Sequence, residues 1–409
     1  MSADKKVPDI RFKGFTREWD YFPLEAISDV LDGDRGHNYP NGEELKEQGH
    51  TLFLSASNVT KNGFKFDIRQ YITQDKSDKL GNGKLIIGDI VLTSRGSIGH
   101  IAWYNENITK KIPFARINSG MLILRVKNNI DPNVISQYLT SPEGKKKIET
   151  ISFGSAQPQL TKASVLKLPV TIPSEKLEQT AIGNYFQKLD SLINQHQQKH
   201  DTLNNIKKAM LEKMFPKPGE TVPEIRFKGF SGEWEEKDFS DIASRVSTYH
   251  KSTHLPCVEY EDIVSGTGKF NKDIHQKRIF KAGLKFEVND VLFGKLRPYL
   301  KNWFLADFEG IAVGDFWVLR AENVTSTFLF SLIQTSKFEL VSNLSAGSKM
   351  PRSDWKLISS SCFFVPKNIS ESYKIGNYFQ KLDTLINQHQ QQITKLNNIK
   401  QACLSKMFI

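Results

Sequence analysis

With 409 residues, 39% of them hydrophobic and 25% charged, the chain has material for two or three domains, each with its own core. No apolar run approaches the ~20 residues that span a bilayer, and residues 1–6 open polar, so a cytoplasmic protein without membrane contact is expected. A net charge of +11 points to a polyanionic partner, while three scattered cysteines (Cys257, Cys362, Cys403), with no CxxC pair, argue against a disulfide framework or a zinc site.

The chain opens on a phrase that returns. Residues 7–15 read VPDIRFKGF and precede Glu18-Trp19; residues 222–230 read VPEIRFKGF and precede Glu233-Trp234. After the first copy come strand-like runs at 53–59, 85–93 and 121–126, with turn signals at Asn62-Gly63 and Gly81-Asn82-Gly83. Pro173 and Ser174 then end the extended pattern and offer a helix N-cap, with Glu175 in the first turn. From there to residue 215 apolar residues recur in heptads: Ile182, Leu189 and Leu203 on one line, Leu192 and Ile206 three later. The stripe is wider than a two-stranded seam, so each helix should have more than one neighbour. Pro216-Lys217-Pro218-Gly219 closes this helix. The second unit repeats the plan, with strand-like runs at 286–293 and 316–319, an N-cap at Ser370 before Glu371, and a final helix with Ile375, Leu382, Leu385, Leu396 and Ile399 at the matching positions.

The two helices are the strongest internal signal. Residues 182–215 and 375–408 share 26 of 34 positions without a gap, at an offset of 193, whereas the short phrases are 215 apart. The intervening segments are thus unequal and look almost unrelated. Near-identical apolar faces in one chain have an obvious solution, which is to pair with each other antiparallel. The expected fold is α+β: two mixed α/β domains (1–173 and 222–369) joined by helices 174–215 and 370–409 through a linker at 216–221. The helices would form an antiparallel coiled coil with pseudo-two-fold symmetry and a domain at either end. Each helix packing only on its own domain is the alternative, and it explains poorly why the copies are so alike.

Cationic and hydrogen-bonding residues gather near the turns of both domains. They are Arg35, His37, Lys61, Ser94, Arg95, Lys110, Lys111, Arg116, Gln157 and Gln159 in the first. In the second they are Tyr249, His250, Lys251, Lys295, Arg297, Lys349 and Arg352. Arginine and lysine suit phosphates and guanine, and glutamine suits adenine. Any one of them is as readily plain solvated surface; as a set present in both domains they point to DNA. Arg297, beside Pro298, fits an internal strut as well as a phosphate clamp.

Catalytic signatures are missing. There is no GxGxxG, no GxxxxGK[ST] and no Pro-Pro dipeptide, which removes the usual cofactor loop, phosphate loop and base-holding motif. His196 and His200 have a metal-compatible i, i+4 spacing, but the second copy has His389 and then Ile393, which favours packing over a metal site. Glu44-Leu45-Lys46 after Asp29, Asp32 and Asp34 is a loose nuclease-like pattern of a kind common in charged chains.

Several stretches resemble the specificity subunits of type I restriction–modification systems. They are Ser57-Asn58-Val59 through Gly63, residues 88–96 (GDIVLTSRG) and residues 153–160 (FGSAQPQL) in the first half. In the second they are residues 289–302 (NDVLFGKLRPYLKN) and 347–355 (GSKMPRSDW). The resemblance covers nearly the whole chain. It implies two target-recognition domains that each read half of a bipartite double-stranded DNA site, with the helices as spacer. It also implies a subunit without an active site, docked to two methyltransferase subunits and to restriction–translocase subunits. S-adenosylmethionine, ATP and Mg would belong to those partners, and no cofactor to this chain. A self-contained methyltransferase or nuclease, and a scaffold without DNA specificity, are the competing readings. Gly96, Gly154 and Gly347 are turn residues of the shared framework.

Overall fold

The computed structural model describes residues 7–127, 129–152, 159–277, 281–344 and 350–409. Two compact units divide the chain: residues 1–195 with 392–409, and residues 196–391.

In the first unit a four-stranded antiparallel sheet runs in the order Ser28–Asp32, Met121–Val126, Ile90–Thr93, Ile101–Trp103. Its centre is apolar at every position, not at alternate ones, because both faces are covered. Ile90, Leu92, Leu122 and Leu124 join a core shared with the helices, while Val91, Met121 and Ile123 face a second layer. That layer is a small sheet ordered Tyr71–Ile72, Thr51–Leu54, Ala115–Ile117, its last pair parallel. Burial on both faces is the reason continuous apolar runs here are strands.

The second unit is built the same way from unrelated-looking sequence. Its sheet runs Ala243–Val246, Phe316–Ala321, Val291–Gly294, Trp303–Leu305. Val291, Phe293, Trp317 and Leu319 face the helical side; Leu292, Phe316 and Val318 face the second layer. The second layer is where the units part, since here it has four strands, Tyr249–His250, Gly283–Phe286, Gly310–Ala312 and Cys257–Val258.

The runs expected at 85–93 and 286–293 break at a turn before the strand. Asp89 and Asp290 close these turns in the same manner: the carboxylate accepts from the backbone N–H three residues back, Ile86 or Glu287, at 2.8 Å in both. Gly88 and Asn289 take the left-handed backbone each turn needs (φ 95° and 73°). An arginine then holds each carboxylate, Arg125 on Asp89 and Arg320 on Asp290.

The long helices are Lys176–Lys213 and Ile369–Met407, the first about 57 Å long at ~1.5 Å per residue. Ser174 spends its hydroxyl on Glu18 O instead of capping. Asn368, not Ser370, caps the second helix, accepting from Ser370 N at 2.8 Å. The short phrases clamp the helix starts: Arg11 grips Glu178 in a bidentate pair at 2.6 and 2.7 Å, and Arg226 grips Glu371 at 2.5 and 2.7 Å. Each phrase also ties to the end of a long helix, Ile10 N donating to Lys406 O and Ile225 N to Lys213 O.

The helices pair antiparallel, and the pairing is reciprocal between repeat mates. Asp190 takes Lys400 at 2.6 Å, and its mate Asp383 takes Lys207 at 2.6 Å. Ile182, Leu189, Ile375 and Leu382 are buried where helix and domain meet, and Leu203, Leu396 and Ile399 are partly buried against the same cores. Leu192 is half-buried. Ile206 and Leu385, expected in the packing stripe, are instead 37% and 44% exposed. The wide stripe is covered only where a domain adds a second wall; elsewhere the partner helix alone is too narrow to hide it.

His196 meets its own repeat mate, His389, with the two Nδ1 atoms 2.9 Å apart. One nitrogen must donate and the other accept, so a neutral ring is required. Burial first, then the fields of His196, Lys199 and His200, hold His389 below the ordinary histidine value. A base depressed by folding binds fewer protons folded than unfolded, so its contribution is complete above about pH 6.5 and is lost as pH falls through the folded value. The unfolding midpoint should therefore drop between about pH 7.5 and about pH 5.5. His389→Leu should flatten that drop; an unchanged pH response in thermal melts of the variant would refute it.

Candidate nucleic-acid interface

One turn organises the cations of the first domain. Residues 118–120 lie between two strands, and Asn118 shapes the turn by accepting from Gly120 N at 2.9 Å. Arg35 donates to Ser119 O at 3.3 Å, with Asp32 at 3.5 Å. Ser94 and Arg95 both donate their backbone N–H to Gly120 O, and Leu160 N donates to Ser94 O, which brings Gln159 to the same edge. Arg35 and Arg95 are exposed there. Ser94 is buried, so it belongs to the frame and not to the surface.

The same edge recurs in the second domain. Lys295 N donates to Asp315 O and Ser353 N to Lys295 O, the counterparts of the two bonds around Ser94. Tyr260 locks the arrangement: its hydroxyl donates to Asp315 O at 2.6 Å and accepts from Leu296 N at 3.0 Å, and burial pushes its ionisation well up. Lys295, Arg297 and Arg352 gather at this edge, where Asp315 takes Arg352 at 2.9 Å and Lys295 at 3.6 Å. Two acids temper this cluster, Asp315 and Glu339, the latter on Lys301 at 2.8 Å. Sequence reasoning missed Lys301 and Asp315; their signal is a cation or acid beside a strand end, too common to single out.

The hairpins at this edge differ in one respect. The first turns through Gly96 (φ 71°) and Gly99 (φ 79°). The second is one residue longer and puts Arg297 (φ 49°) and Lys301 (φ 55°) in the left-handed region. A side chain there costs roughly 1–2 kcal/mol.

Arg116 corrects the sequence reading. Its guanidinium is buried and makes four hydrogen bonds within the fold, donating to Ser77 Oγ and to the carbonyls of Leu80, Gly81 and Asn82 at 3.0–3.3 Å. It braces the loop after Gln74–Lys79, and its burial there keeps it from the surface where a phosphate would lie. His37, Lys61, Lys110, Lys111, Tyr249, His250 and Lys251 are exposed, on separate turns and edges that no described contact joins to the edge around 118–120 or around Asp315. Gln157 and Lys349, with Gly154 and Gly347, lie outside the described residues. Among the described residues no group of three or more His, Cys, Asp or Glu is placed to hold a metal, and no helix is long and apolar enough to cross a membrane.

Residues 16–205 match the family described as the type I restriction modification DNA specificity domain. The chain is 25% identical over 304 residues to the type I restriction enzyme EcoDI specificity subunit of Escherichia coli, a match that takes in 64% of this chain and 66% of that subunit, just under two thirds of it. It is 22% identical over 349 residues to the MjaIX specificity subunit of Methanocaldococcus jannaschii, covering 78% and 76%. In fold it is similar to the crystal structure of a type I restriction–modification S subunit from M. genitalium, with a TM-score of 0.71 at 14% identity over 98% of this chain and 99% of that one.

The two arginines of the first domain should separate on substitution. Arg116→Ala strands buried carbonyls and should cost about 3 kcal/mol of stability. Arg95→Ala should stay within about 0.5 kcal/mol of the parent. Denaturant unfolding of both variants checks this, and equal losses would contradict it.

Proposed function

We propose that this chain is a specificity subunit of a type I restriction–modification system and reads a DNA site in two parts, one with each α/β domain. One observation carries the reading: the same edge, made by the same backbone bonds around Ser94 and Lys295, is set with different side chains in the two units. A constant frame with a changing face is what two reading heads for different sequences require. Backbone phosphates would be met by the exposed cations, Arg35 and Arg95 in the first domain and Arg352 in the second. Base edges would be met by side chains of the second layers and by Gln157, Gln159, Tyr249 and His250.

Methyl transfer and cleavage belong, in this reading, to other chains. Two methyltransferase subunits would bring S-adenosylmethionine, and restriction–translocase subunits would use ATP and Mg. The support is the absence of a cofactor loop and a phosphate loop from the sequence. This chain would supply address and orientation.

Exchange of residues 222–369 for the corresponding domain of another specificity subunit tests the reading. Mapping of methylated sites in cells carrying the hybrid with its partner subunits should show one half of the recognised sequence changed and the other retained. A change in both halves would mean that the domains read jointly, and methylation by the purified chain alone would overturn the division of labour.

A further inference from the structure

Arg297 stands out in the second domain because neither its backbone nor its side chain is explained by the fold. The turn does not need it: the first domain makes the equivalent turn with Gly96 at the same left-handed position. At Gly96 an added Cβ would meet nothing within 4 Å, so in the first domain no neighbour requires the position to be glycine. The neighbouring cations are each matched, Lys295 and Arg352 by Asp315 and Lys301 by Glu339. Among the described residues the Arg297 side chain has no partner, and its Nε is withdrawn from solvent without an acceptor.

A guanidinium in that condition is short of an anion. Its backbone is fixed on both sides, by Pro298 following and by the Arg297 N–H bond to Pro351 O at 2.7 Å. The side chain therefore starts from one anchored point, and its planar fork matches the geometry of a phosphate. The hairpin that carries it joins two strands of the central sheet common to both units, not the second layer in which they differ. A contact made from the common frame sets register and does not read bases.

We propose that Arg297 binds a DNA phosphate, giving the second domain a backbone contact that the first domain, with Gly96 in its place, does not make. The inference rests on the DNA-reading function proposed above. It makes Arg297 a positioning residue: its loss weakens binding to every sequence alike and leaves the recognised sequence unchanged.

Arg297→Gly gives the turn the residue its counterpart already has, which separates binding from folding. Three measurements suffice: thermal melting, the salt dependence of binding to a labelled mixed-sequence duplex by fluorescence anisotropy, and mapping of methylated sites in cells carrying the variant with its partner subunits. The expected result is a variant that melts no lower than the parent. Its plot of log affinity against log salt should be shallower by about 0.9, and its methylated sequence the same. Arg297→Lys should keep the parental slope, and Arg297→Gln should behave as the glycine variant. An unchanged slope in the glycine and glutamine variants, or a lower melting point for the glycine variant, assigns the guanidinium to the fold and overturns the proposal. A changed methylated sequence also overturns it, by making Arg297 a base reader. Absence of salt-dependent DNA binding in the parent chain would instead remove the DNA reading itself.

Discussion

Phe215 and Phe408 close the two cores in the same way. Each is the ring at the end of a long helix, set against the tryptophan that follows the short phrase and a phenylalanine of the other long helix. Phe408 lies 6.1 Å from Trp19 and 5.9 Å from Phe186, ring centre to ring centre. Phe215 lies 6.0 Å from Trp234 and 6.3 Å from Phe379, the repeat mate of Phe186. Removing such a buried ring costs about 3–5 kcal/mol. With Arg11 on Glu178 and Arg226 on Glu371, each core takes in a short phrase, the start of one long helix and the end of the other. The repeats must then stay alike, because each is a wall of both cores. The second β layers pack in clusters of their own and are free to diverge.

That division explains what the sequence did and did not disclose. The long helices, their antiparallel pairing and the strand at 121–126 followed from periodicity and repetition. The likeness of the two sheets did not, since positions buried on both faces accept any large apolar residue: Ile90 and Val291, or Leu92 and Phe293, do the same work. The turns before the central strands were read as strand because Ile86, Ile87 and Val288 are apolar. They are exposed, and the carboxylates of Asp89 and Asp290 decide the backbone there.

At the candidate interface, residue type alone mixed two populations. Arg35 and Arg95 come to one exposed edge, whereas Arg116 and Ser94 are buried in the frame. An arginine near a turn is equally suited to gripping carbonyls or phosphates, and only the turn's geometry separates the cases. The pairing of Asp315 with Lys295 and Arg352 was likewise hidden, since the strand register brings them together from positions far apart in the chain. The formal charge of +11 is thus partly spent inside the frame.

In the proposed function DNA would lie against the edges around 118–120 and 315, with the long helices as framework. Amide hydrogen exchange of the full chain, with and without a duplex carrying its recognised sequence, tests this most directly. Protection should appear at residues 94–96, 118–120, 295–301 and 313–315 and in the second layers, with Lys176–Lys213 and Ile369–Met407 unchanged by DNA. Protection concentrated in those helices, with the two edges unaffected, would contradict the account.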